Sequence, residues 1–253
     1  IAREADEDAA IQSVECPCNE YCLPLFQQCD VRVSPPSSLG DEFFVPVYHY
    51  LYHECMIMHG MMGQGPEPYH LPIRNALNGV LGEIPGAVMI GDGTLLNKDT
   101  GNWADWEPKV GSDDDALEMI RTVTALRRGP GRDYLVFGRM QRPAPIDGIE
   151  TIRWEYDGKA RAVPAVFHAA WQPPDSPAVG GAGSGGFGVV MANWTSDEQT
   201  VTITDPRLGA KATLHLAART LESKAIDISD HGATVSLPPL SSALVAAEKP
   251  GSE

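Results

Sequence analysis

The chain has 253 residues, 43% hydrophobic and 21% charged, with a formal net charge of -15. That is enough apolar material for a buried core. Scattered Lys and Arg in an acidic chain exclude a surface built to neutralise phosphates, and no apolar run reaches the ~20 residues of a membrane-spanning helix. Neither nucleic acid nor membrane is therefore expected as a partner, and cytoplasmic and secreted locations both stay open.

Residues 3–10 are charged and alanine-rich and read as the end of a helix. Residues 11–15, an apolar run closing on Glu15, read as a short buried strand. A loop with Pro17 follows, then a helix over 20–28 with Asn19 as its N-cap. Pro35, Pro36, Ser37, Ser38 and Gly40 make 31–41 a loop. Residues 45–52, rich in Val and Tyr, fit a strand that ends in His53-Glu54. Strand alternation places Tyr48, Tyr50 and Tyr52 on one face, where a core is the expected surrounding. The Gly-, Pro- and Met-rich stretch 55–68 reads as a long adaptable loop. Ile73, Leu77 and Val80 recur at helical spacing over 71–81, with Pro72 in the first turn. Residues 87–90 read as a buried strand leading into Gly91-Asp92-Gly93, and a second long loop carries Trp103 and Trp106.

Ser112-Asp-Asp-Asp115 is a helix start, with an N-cap and acids at the positive end of the dipole. The helix runs to Arg127-Arg128, and Gly129-Pro130-Gly131 stops it. From residue 133 the pattern changes to short strands, over 134–140, 149–156, 160–171, 186–194, 199–204, 212–217, 224–228 and 233–237, as in a β-sandwich. The Gly-rich segment 173–186 reads as a flexible loop, and residues after 245 as a frayed end.

The expected fold is thus α/β plus all-β. Residues 1–131 read as the late strands and helices of an incomplete (β/α)8 barrel, and residues 132–253 as an antiparallel β-sandwich. Three strand–helix units fall short of the eight that close a barrel, so a missing N-terminal half or a partner chain is expected to supply the rest. An open three-layer α/β arrangement is the alternative.

Barrel enzymes build their sites where strands finish. Glu15 and Glu54, each placed at a strand end, are the leading catalytic carboxylates, with Asp92 the third. Glycosidic bond cleavage needs two such groups, as acid and base or acid and nucleophile. Glu20, at a helix start, either complements the dipole or binds substrate. His53 would orient Glu54 or bind a sugar hydroxyl, although alternation admits only one of these neighbours to the site. Tyr52, Trp103 and Trp106 are candidate sugar platforms. This chemistry needs no cofactor. Cys16, Cys18, Cys22, Cys29 and Cys55 lack standard zinc spacing and read as reduced thiols, with a metal site or a disulfide as the alternatives; no metal ligand is assigned. Asn193-Trp-Thr195 matches the N-glycosylation sequon.

Three stretches, Glu15-Cys-Pro-Cys-Asn-Glu20, Pro46-Val-Tyr-His-Tyr-Leu-Tyr-His-Glu54 and Asn78-Gly-Val-Leu-Gly-Glu-Ile-Pro-Gly86, resemble the late part of bacterial TIM-barrel proteins akin to glycoside hydrolases. This is a family of largely unknown function whose members end in a β-sandwich. The resemblance implies a carbohydrate substrate and acids at late strand ends, with Glu15 and Glu54 the best-matched positions. A carbohydrate-binding or scaffold protein without catalysis is the alternative.

Overall fold

The computed structural model describes residues 12–13, 28–30, 46–59, 70–86, 113–156, 158–174, 186–230 and 232–248. Strands β1 (Gln12–Ser13), β2 (Gln28–Asp30) and β3 (Ile57–His59) pair in parallel and in sequence order. Gln12 stands opposite Gln28, and Asp30 opposite His59. Ile84 adds a further parallel bridge beside His59, its N–H donating to the Met58 carbonyl at 2.8 Å. Parallel neighbours in sequence order each require a crossover connection, although two of these strands, β2 and β3, fall where a helix and a loop were expected. The expected strand over 87–90 and residues 20–27 of the helix expected over 20–28 lie outside the described residues, while residue 28 opens β2 instead.

The strand expected over 45–52 is a helix, α1 (Val47–Tyr52), continued by a 3-10 turn over His53–Cys55. The run Val-Tyr-His-Tyr-Leu-Tyr has period-2 chemistry, but burial selects a period near four. His49 and His53, four apart, are both buried, while Val47, Tyr50 and Leu51 face outward. Tyr48 and Tyr52 stack at 4.9 Å between ring centroids, and Tyr50 stands away from them, more than half exposed. The expected common tyrosine face therefore does not exist. Pro46 precedes α1, where its missing N–H costs nothing. The stretch expected to be a loop from residue 55 contains β3 instead, with Met58 fully buried.

Helices α2 (His70–Val80) and α3 (Asp113–Arg128) fall where their apolar spacing and stop signals place them. Gly131 N–H reaches back to Leu126 O at 2.9 Å and closes the end of α3. A short helix, α4 (Arg132–Leu135), then occupies the start of what was expected to be a strand, and pairing begins only at β4 (Arg139–Gln141).

The rest is antiparallel, and such sheets dominate the described residues. The chain continues with β5 (Ile146–Asp147), β6 (Thr151–Tyr156), β7 (Lys159–Pro164), β8 (Val166–Gln172), β9 (Gly188–Asn193), β10 (Gln199–Ile203), β11 (Lys211–Ala217), β12 (Leu221–Asp227), β13 (Ala233–Leu237) and β14 (Ser241–Ala247). One sheet has the order β12-β11-β14-β9-β8-β4, a second β13-β10-β5, and β6 and β7 form a ribbon. The strand expected over 160–171 is two strands, divided at Ala165. β14, which sequence reading missed, lies at the centre of the large sheet.

Alternation gives that sheet two apolar faces. Ala169, Trp171, Val190, Ala192 and Leu244 share one core with Ile73, Ala76 and Val80 of α2 and Met119, Val123 and Leu126 of α3. Val166, Ala170, Val189, Met191, Ala243 and Val245 share the other core with Val201, Ile203, Val235 and Leu237 of the smaller sheet. A Cβ at Gly79 would lie 2.6 Å from Val123 Cγ1, so the missing side chain is what lets α2 and α3 approach. The first core draws on residues from both sides of the expected division between residues 131 and 132.

Candidate functional site

The parallel ladder fixes where its strands finish. β1 ends at Ser13, two residues before Glu15; β2 ends on Asp30 and β3 on His59. The C-terminal ends of parallel strands are where barrel and open α/β sites form. Asp30 is the position that sequence reading passed over. Its signal is the step from Gln28-Cys29-Asp30 into the Pro- and Ser-rich stretch, which marks a strand end but competes with the helix expected over 20–28. Asn75 of α2 secures the segment after the Ile84 bridge: its Oδ1 accepts from Gly86 N at 2.8 Å and its Nδ2 donates to Gly86 O at 3.1 Å. That amide acts as one rung of a ladder and anchors the chain six residues before Asp92.

A second constellation of ionisable groups lies where the segment before β3 meets the helices. His49 Nε2 donates to Glu83 Oε1 at 2.5 Å, and the two side chains are 1% and 0% exposed. Arg127 Nη1 donates to Gly82 O at 2.7 Å and also to Leu135 O. Burial lowers Arg127 to about 10, with Glu83 pulling the other way, so the guanidinium stays charged at neutral pH. Burial likewise lowers Arg74, again opposed by Glu83. His53 Nδ1 lies 3.0 Å from Gly138 O and its Nε2 3.3 Å from Gly82 O, with the Trp171 ring at its edge, 4.5 Å between centroids. Gly82 adopts φ +76°, and a side chain there would overlap the His53 ring. Trp171 Nε1 donates to Val80 O at 3.0 Å.

His49 and Glu83 are enclosed by the fold. The chemistry available to them is structural: hydrogen bonds that tie α1, the end of α2, α3 and the start of β4 together. His53 belongs to this set, 3% exposed and occupied by two backbone carbonyls. Tyr52, half-buried, closes α1 against Tyr48. Glu54 does not end a strand, because the strand assigned to it is α1; its backbone lies in the 3-10 turn ahead of β3. Glu15, Glu20, Asp92, Trp103 and Trp106 lie outside the described residues. The sequon Asn193 is fully buried, with Nδ2 donating to Asp197 O, Leu237 O and Pro238 O at 2.8–3.0 Å. It is a bracket between strands and not a glycan acceptor in the folded chain.

No family model matches the chain, and no curated protein matches it. Solved structures similar to it are glycoside hydrolases. A GH27 β-L-arabinopyranosidase from Geobacillus stearothermophilus is 10% identical with a TM-score of 0.44, over 99% of this chain and 53% of the other. A GH30 endoxylanase from Clostridium papyrosolvens C71 is 8% identical with a TM-score of 0.40, over 96% and 57%. Amy13B of Eubacterium rectale is 10% identical with a TM-score of 0.42, over 97% and 54%. The chain spans about half the length of these structures. Likeness at this level defines neither the fold nor the activity of the chain.

Proposed function

We propose that this chain is the later part of a glycoside hydrolase-like protein, a set of parallel strand–helix units followed by a β-sandwich, and that it acts on a carbohydrate. The observation that carries the reading is the parallel ladder of β1, β2, β3 and Ile84 in sequence order. Such a ladder gathers the residues that follow each strand along one edge. Glu15 follows β1, Asp30 ends β2, and Asp92 follows the segment begun at Ile84, which supplies carboxylates for the acid and base or nucleophile roles of glycosidic cleavage. Glu54 ranks behind these because it precedes a strand. Trp103 and Trp106, which follow Asp92 in the sequence, are the proposed sugar platforms. The remaining parallel strands would come from further sequence upstream or from a partner chain.

The test is sugar release from a panel of aryl glycosides and polysaccharides, using this chain beside a form extended upstream. Turnover that falls by at least about 10³ in Glu15→Gln, Asp30→Asn or Asp92→Asn, with sugar binding retained, identifies the carboxylates. Binding without turnover in the parent protein, unaffected by these substitutions, overturns catalysis and leaves a carbohydrate-binding protein.

A further inference from the structure

We propose that the contact of His53 with Gly82 and Gly138 is an acid-released latch: the neutral ring holds segment 46–59 against the helices and the large sheet, and taking up a proton frees it. The inference stands apart from any reading of the activity.

The geometry presents two carbonyl oxygens to a ring that has one N–H when neutral. The shorter approach, 3.0 Å from Nδ1 to Gly138 O, fits the donated bond; the longer, 3.3 Å from Nε2 to Gly82 O, fits a bare nitrogen facing an acceptor. Only imidazolium donates to both. Gly82 O, however, already accepts from the Arg127 guanidinium at 2.7 Å. Protonation in place would set two cations on one oxygen beside a ring that is 3% exposed, where their repulsion is weakly screened. Opening relieves it and hydrates the new charge.

Charged and titratable groups stand on the elements around the ring. His49 comes from α1, Arg74 from α2 with Glu83 just beyond its end, and Arg127 from α3. α4 contributes Tyr134, β4 brings Arg139, which is exposed, and β8 supplies the uncharged Trp171. Glu83 is engaged by His49. Burial is the main influence on the His53 ring and favours the neutral form; the Gly138 and Gly82 carbonyls oppose it, and Arg127 and His49 add to it. A ring held neutral when closed and free to protonate when open shifts the opening equilibrium with pH. Below about 6.5 the open fraction rises by up to about tenfold per pH unit, until the closed ring itself titrates.

Hydrogen exchange on the full chain, corrected for the intrinsic pH dependence of exchange, reads that fraction. The expected result is opening of 46–59 and 81–86 that grows by up to about tenfold between pH 6.5 and 5.5, while β9 and β14 keep their protection. His53→Gln abolishes the growth, and His215→Gln leaves it intact. Ring ¹⁵N spectra of the unsubstituted protein give a second reading that needs no variant, with neutral Nδ1–H expected at pH 7.5. A ring already protonated at pH 7.5, protection of 46–59 that is unchanged at pH 5.5, or an acid response that survives His53→Gln overturns the latch.

Discussion

At the scale of single residues, Asn193 shows how much one side chain can bind together. Its amide satisfies three carbonyls beyond the end of β9, and its Oδ1 accepts from Thr195 N and Oγ1 at 3.0 and 2.8 Å. Asn193→Ala leaves these buried groups unpaired, and a loss on the order of 3 kcal/mol is expected in urea unfolding. His168 gives a pH effect on global stability. Its Nδ1 is buried without a hydrogen-bond partner among the described residues, and burial lowers its proton affinity. The folded ring stays neutral while the unfolded one binds a proton below about 6.5. The stability present above that pH is therefore lost as pH falls from there towards the folded value, at no more than about 1.4 kcal/mol per pH unit. Unfolding curves at pH 7.5 and 5.5 should show a smaller acid loss in His168→Leu than in the parent. An equal loss in both would remove His168 as a source.

At the scale of elements, the approach of α2 and α3 turns on Gly79 and Val123. Gly79→Ala should cost about 1–3 kcal/mol by overpacking, and the pair Gly79→Ala with Val123→Ala should recover part of it, a coupling that a double-mutant cycle measures. These two helices were legible in the sequence because their signals were local: Pro72 in the first turn of one, acids at the start and Gly129-Pro130-Gly131 after the end of the other. α1 was not, because its six residues satisfy either period and the decision is made by Glu83, distant in sequence, which receives His49. β14 failed for the opposite reason. Ser-Ser-Ala-Leu-Val-Ala-Ala has weak strand propensity, yet small side chains are what a strand buried on both faces requires when α3 lies across one of them. In the candidate site, an acid following β1 was readable from the apolar run before it. Asp30 was hidden by assigning residue 28 to a helix, and the enclosure of His53 by carbonyls from residues 82 and 138 has no local signature.

At the scale of the whole molecule, the large sheet needs both of its covers. Residues 132–253 alone would bare Trp171, Val190, Ala192 and Leu244, which α2 and α3 otherwise bury. An exposed apolar face of that extent drives association. The expectation is that a 132–253 fragment elutes as aggregate in size-exclusion chromatography, while a 70–248 fragment, which keeps both helices, elutes as a discrete species. A monomeric, cooperatively unfolding 132–253 fragment would show that the sheets suffice without the helices.

β14 is the latest strand in the described chain, yet it is hydrogen-bonded on one side to β11 and on the other to β9. During synthesis the β12-β11 pair and the β9-β8-β4 group therefore wait as separate pieces with open edges until residue 247 has cleared the ribosome. A stalled or prematurely terminated product holds only these unjoined pieces of the large sheet. The large sheet is completed only when its last strand arrives, and its open edges stay prone to association until then.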